Sequence, residues 1–185
     1  MNYPAVKIDG GATTTTGNVL RRRNLKIMGR LKRFYLENYC YFITSNCYRR
    51  RRYFEKDENK DVIIDFLKYY RPKYDFKLKG FVILEDHFHV LIVPRGTYNI
   101  SWILKSLKVA ISKSIKRKDK IKDPIWQHRF YDHIVRNEQD FKEILDYIHN
   151  NPLKHNLCEC IEEYRYSSFR NYYLNDHSLI EIDIG

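Results

Sequence analysis

The 185-residue sequence contains no apolar run of 18 residues, and no charged segment followed by a short apolar stretch near its start. It therefore offers neither a membrane-spanning helix nor a secretion signal, and a cytoplasmic protein with no membrane anchor is expected. Cysteine is scarce and poorly spaced for a metal. Cys40, Cys47, Cys158 and Cys160 make no Cys-x-x-Cys pair, and Cys158-Glu-Cys160 does not suit a structural zinc site, so reduced structural thiols are expected. Nothing repeats internally. Acidic residues are also short, 23 against 34 Lys plus Arg, which leaves a formal charge of +11 and a pI near 9.4.

What is present suits one core: 43% of residues are hydrophobic, enough for a single domain of this length. The positive excess attracts a polyanion, and 16 tyrosines and 10 phenylalanines offer faces on which bases stack. Nucleic acid is the expected partner, with a nucleoid association. A membrane-surface binder fits less well, because the charges are dispersed and no basic amphipathic terminus stands out. Residues 1–33, with Gly10-Gly11, the run Thr13 to Thr16 and Arg21-Arg22-Arg23, lack a hydrophobic period and read as a flexible basic tail. Residues 34–175 read as the domain and 176–185 as a C-terminal tail.

Within the domain, Tyr39 to Thr44 is rich in aromatic and β-branched residues and predicts a strand, followed by the basic loop Arg49 to Arg52. Helical spacing of Val62, Ile63, Phe66, Leu67 and Tyr70 predicts a helix over 57–70 that Pro72 closes. Phe76 to Leu84 and His87 to Val93 predict an antiparallel hairpin. Asn99 to Lys116 is the clearest helix, with Ile100, Ile103, Leu104, Leu107, Ile111 and Ile115 on one side. Trp126 to Val135 predicts a fourth strand. Asn137 then caps a helix with Phe141, Ile144, Leu145 and Ile148 as its buried stripe, ending near Asn151 because Pro152 disfavours helical geometry before it. The order β-α-β-β-α-β followed by α predicts an α+β, ferredoxin-like antiparallel four-stranded sheet with helices on one face.

Two histidines one residue apart, His87 and His89, share a face of their strand while Phe88, Val90 and Ile92 take the other. Paired imidazoles suit a metal, and equally the solvated face of a sheet. On the last helix Tyr147 and Asn151, four residues apart, lie on one side and outside the buried stripe. Together they suit a phenol and an amide facing the histidines, or a boundary aromatic and a helix end.

Four blocks carry a resemblance that covers about 35–173: His87-Phe88-His89, Trp126-Gln127-His128-Arg129-Phe130-Tyr131-Asp132-His133, Tyr147 to Lys154 with Asn151-Pro152, and Tyr166-Ser167-Ser168-Phe169. In this order and spacing the chain resembles the REP-associated tyrosine transposases, a branch of the single-tyrosine HUH transposases. The resemblance implies that His87 and His89 are metal ligands, Asn151 the third ligand and Tyr147 the nucleophile. It implies Mg²⁺ or Mn²⁺, although imidazoles by themselves suit zinc, nickel or iron. It also implies single-stranded DNA with a foldback hairpin as substrate, cut beside a short guide sequence, and a monomer, with dimers that share active sites known in the wider class. Two positions depart from the family pattern. Glu85 stands where a proline is usual, so that its carboxylate either approaches the metal or faces water, and Tyr166 replaces a tryptophan.

Tyrosine ionises near pH 10, so making a phenolate at neutral pH costs roughly 4 kcal/mol, part of which a divalent cation offsets. Attack by Tyr147 would give a 5′-phosphotyrosine and a free 3′-hydroxyl. The covalent bond keeps the phosphodiester energy, so strands rejoin with no nucleotide cofactor. Tyr131, beside Asp132 and His133, is the rival nucleophile. Arg129 and His133 are assigned to DNA contact or structural support, Lys154 to DNA contact, and Lys105 and Lys108 within the basic stretch 105–122 to the hairpin phosphates. Two other readings remain open: a non-catalytic DNA- or RNA-binding module that stacks bases on its sheet, and a nuclease that uses water and needs the histidines but not Tyr147.

Overall fold

The computed structural model describes residues 38–184, so the tail expected over 1–33 lies outside the described residues. In chain order come β1 (Tyr41–Asn46), α1 (Asp57–Tyr74), β2 (Phe76–Ile83), β3 (His87–Pro94), α2 (Ile100–Asp119), β4 (Tyr131–Ile134), α3 (Glu138–Lys154) and a short α4 (Phe169–Tyr173). The strands form one antiparallel sheet in the order β2-β3-β1-β4, the ferredoxin-like arrangement expected.

Register decides what each face carries. Thr44 of β1 lies opposite His89 and Tyr131, Asn46 opposite His87, and Phe42 opposite Leu91 and His133. Residues paired in this way share a face, so both histidines, Thr44, Phe42, Tyr131 and His133 lie together, while Tyr41, Ile43, Phe88, Val90 and Ile92 point the other way. The second face is the main core. α1 and α2 pack on each other and cover it with Ile63, Leu67, Ile103, Leu107 and Ile111, none more than 1% exposed. Trp126 ties α2 to it, with its ring 5.5 Å from Phe88 and its Nε1 donating to the Lys108 carbonyl.

The expectation of helices on one face holds for α1 and α2 but not for α3. Because the second face is already covered by α1 and α2, the apolar stripe of α3 buries itself on the histidine face, through Phe141, Leu145 and Ile148. Gly80 makes room for it. A Cβ there would stand 2.9 Å from Leu145 Cδ1, so the glycine permits a close approach of helix to sheet that a side chain would block.

Other boundaries differ for identifiable reasons. α1 runs through Pro72 to Tyr74 and stops where Asp75 turns left-handed, with φ 46°. α3 likewise runs through Pro152 to Lys154. In the last turn a proline forfeits its own backbone hydrogen bond, yet the residues after it still find carbonyls, as His155 N–H does on Asn151. The predicted fourth strand is interrupted. Trp126 bridges Cys47 and pairing resumes only at Tyr131, so residues 128–130 loop out between two paired pieces. Asn137 caps α3 as expected, accepting from Asp140 N–H at 2.9 Å.

The outer edge of β2 is covered by the serine-rich block and the chain end. Ile83 N–H donates to the Tyr166 carbonyl, Ser168 N–H to that of Phe81 and Asp183 N–H to that of Leu78. The residues set apart above as a C-terminal tail are thus docked, with Ile180 and Ile182 buried. Cys40 and Cys47 are buried free thiols, and burial pushes Cys40 up to about 12.

Ser168 joins this edge to α3. Its hydroxyl accepts from Phe81 N–H at 3.0 Å and lies 2.9 Å from Nε2 of the buried His149, on the helix turn between Tyr147 and Asn151. Burial pushes His149 down to about 3, from 6.5. Below pH 6.5 the unfolded chain therefore takes up a proton that the native one refuses, so stability present above pH 6.5 is lost as pH falls toward 3, by about 1.4 kcal/mol per unit at most. Urea unfolding of the parent between pH 7 and pH 4 should show this decline, and His149→Gln should make it shallower. A variant as acid-sensitive as the parent would remove His149 as its source.

Candidate active site

β3 delivers the two histidines side by side, both about 97% buried, with ring centroids 4.9 Å apart. Each has its Nδ1 engaged. Asp86 Oδ1 lies 2.5 Å from His87 Nδ1, and Thr44 Oγ1 lies 2.7 Å from His89 Nδ1. The tautomers in which both Nδ1–H groups donate leave the Nε2 lone pairs for a metal, and the partners fix ring orientation in the way ligating histidines require. His89 Nε2 is buried with no partner, an orphaned acceptor of the kind a cation satisfies. His89 is held well below the usual imidazole range by burial and by its neighbours His87 and His155, which keeps that lone pair available.

A relay stands behind His87. Arg50 Nε pairs with Asp86 Oδ2 at 2.7 Å, and Arg50 also donates to Asn46 Oδ1. Reaching back in this way requires Arg49 and Arg50 to be left-handed, with φ 54° and 55°, at roughly 1 kcal/mol or more apiece. Burial opposes ionisation of Asp86, but the hydrogen bond from His87 and the charge of Arg50 outweigh it and hold the carboxyl below its ordinary range. Glu85, the other acidic residue of this turn, is taken by Arg52 at 2.6 Å.

α3 supplies the rest. Tyr147 is 41% exposed, with its ring 5.3 Å from His89 and 6.0 Å edge-on to Phe42. It stands between two shallow depressions, of about 300 Å³ along Phe42, Tyr131 and His133 and about 480 Å³ along Asn150, Leu153 and Lys154. Lys154 Nζ lies 4.7 Å over its ring. Asn151, expected outside the buried stripe, is buried to 1% exposure because the helix leans into the sheet. Its Nδ2 donates to the Tyr147 carbonyl at 3.2 Å, so Oδ1 is the atom left to act as a ligand. Among the described residues no three His, Cys, Asp or Glu side chains form a metal set.

The other expected residues divide. Tyr131 shares the face but touches Phe42, at 6.2 Å, while Tyr147 touches both Phe42 and His89. His133 pairs with Asp140 at 2.9 Å and ties β4 to the first turn of α3. Arg129 is exposed in the looped-out 128–130 segment. Lys105 and Lys108 are not brought to the site. They ride on α2, across the sheet, with Lys105 over Trp102 and Lys108 donating to the Gln127 carbonyl. Arg50, Asp86, His149 and His155 were missed from sequence. The acidic pair next to the histidines was the one available signal.

A ferredoxin-like sheet with alternate histidines on an inner strand and a helix-borne tyrosine beside them defines the tyrosine transposases of HUH type. The family model described as "Transposase IS200 like" matches residues 35–151, and the chain belongs to that family. It is similar to the REP-associated tyrosine transposase of Escherichia coli, 27% identical over 143 residues that span 77% of this chain and 83% of that protein. A Haemophilus influenzae protein provisionally named REP-associated tyrosine transposase is 30% identical over 131 residues, 62% of this chain and 74% of its own. Among solved structures, a REP-associated tyrosine transposase bound to a REP hairpin superposes with a TM-score of 0.63 at 26% identity, covering 85% of this chain and 100% of that one. The family is in general metal-dependent. No helix among the described residues is long and apolar enough to cross a membrane.

Asp86→Ala should weaken Mn²⁺ binding about 10- to 100-fold by releasing His87. Calorimetric titration measures this, and an isotherm matching the parent would mean that Asp86 does not set the ligand.

Proposed function

We propose that this transposase cleaves and rejoins single-stranded DNA next to a hairpin, with Tyr147 as nucleophile and His87, His89 and Asn151 holding Mg²⁺ or Mn²⁺. The observation that carries it is the phenol ring 5.3 Å from a buried imidazole whose Nε2 has no partner. When bound, the cation would polarise the scissile phosphate and offset part of the cost of the phenolate. The chain's own residues do the rest. Thr44 and Asp86 hold the imidazoles, the seating of α3 holds Tyr147 beside them, and Tyr147 Oη bonds to phosphorus as the bond to the 3′ oxygen breaks. The 5′-phosphotyrosine conserves the bond energy, and a 3′-hydroxyl attacking it restores a DNA strand.

The structural relative bound to a REP hairpin supports hairpin DNA as substrate here. On this reading Lys154 and Arg129 meet the strand being cut, and His133 acts through Asp140 to support β4. Lys105 and Lys108 reach only DNA that passes round to the far side of the sheet. Phenol and imidazoles come from one chain, which supports a monomer as the acting unit.

Denaturing electrophoresis with labelled hairpin DNA and Mn²⁺ tests the proposal. The parent should give a covalent adduct, and Tyr147→Phe should lose it, by at least about 10³-fold, while hairpin binding in a gel shift stays within about two-fold. A persistent adduct would move the nucleophile to Tyr131. Cleavage without an adduct would point to water as nucleophile, and neither product would leave a binding module.

A further inference from the structure

Four rings follow one another in contact along the histidine face. Tyr147 is 5.3 Å from His89, His89 is 4.9 Å from His87, and His87 is 5.2 Å from His155, which follows the last residue of α3. The ligand pair is thus flanked by a phenol at one end and a second kind of group, an exposed imidazole, at the other. Backbone geometry holds that imidazole in place. His155 N–H caps the helix on the Asn151 carbonyl, and Asn156 then turns left-handed, with φ 53°. The His155 ring meets that of His87 and is otherwise exposed.

In-line phosphoryl transfer requires the nucleophile and the departing oxygen on opposite sides of phosphorus. Tyr147 touches the His89 end of the pair and His155 the His87 end, so a phosphate held at the pair and attacked from the Tyr147 side would expel its oxygen toward the His155 end. We propose that His155 is a further catalytic residue, whose imidazole N–H donates a hydrogen bond to the 3′ oxygen that leaves when Tyr147 attacks. This rests on Tyr147 being the nucleophile.

The step balances without a co-reactant. The Tyr147 Oη–P bond forms and the P–O3′ bond breaks. The phenolic proton goes to water, and the electron pair of the broken bond stays on the 3′ oxygen, which takes a proton from water to become the hydroxyl. A neutral imidazole always carries one N–H, so His155 stabilises the charge growing on that oxygen without changing its own protonation state. In strand joining the same contact holds the attacking 3′-hydroxyl.

The test compares an ordinary hairpin substrate with one in which sulfur replaces the bridging 3′ oxygen at the scissile phosphate, both with Mn²⁺. A departing thiolate needs little help from a hydrogen-bond donor. His155→Ala should slow adduct formation on the order of 10²-fold on the oxygen substrate and less than about three-fold on the sulfur one. His155→Gln, which keeps an N–H, should recover part of the loss, and hairpin binding and Mn²⁺ affinity of both variants should match the parent. Equal slowing on both substrates, or none on either, overturns the assignment. So does a fall in Mn²⁺ affinity, which would make His155 a ligand instead. If the parent itself forms no tyrosine adduct, the nucleophile assignment fails and this inference fails with it, an outcome distinct from a parent that reacts on both substrates.

Discussion

The seating of α3 on the sheet is the constraint that everything else here depends on. The histidines arrive on β3 whatever the helix does, but alone they are two buried imidazoles. It is the burial of Phe141, Leu145 and Ile148 against the same face that brings the Tyr147 ring up to His89 and buries Asn151 below it. Ser168 reinforces this contact from the sheet edge, bonding one way to β2 and the other to His149. The serine-rich block, remote in sequence from the tyrosine, is therefore part of what aims it.

Electrostatics then set the site against its surroundings. The chain is strongly basic, yet its reactive face is built from neutral imidazoles, an amide and a phenol, with the nearest carboxylate, Asp86, already committed to His87 and Arg50. An uncompensated charge buried here would be costly, and neutral side chains avoid it. The positive charge is kept on exposed side chains such as Arg129 and Lys154, where water solvates it at little cost.

The core and the histidine pair were legible in the sequence because both depend on strict periods. Alternation along 87–93 sorts that strand into two faces, and the repeat from Ile100 to Ile115 marks α2 as an amphipathic helix with an Asn99 cap. Local rules failed where tertiary contacts outweighed them. Pro72 and Pro152 were read as stops, yet both helices continue, because the loss of one hydrogen bond in a last turn is small beside the packing around it. Which face α3 would choose was not legible either, since its apolar stripe fits any apolar surface. That ambiguity also hid His149 and His155, whose partners lie on other elements.

Gly80 carries a consequence for how mutations in this protein would be understood. It sits in the strand next to β3, meets no expected ligand, and serves only to let Leu145 settle against the sheet. A methyl group there would act as a wedge under the middle of α3, and the lift would be passed along a rigid helix to the phenol two residues on from Leu145. A genetic screen for lost activity would thus score this position alongside Tyr147, although a glycine has no side chain to do chemistry. The map of functional positions in such a small enzyme follows the mechanical linkage of helix to sheet as much as the distance to the substrate.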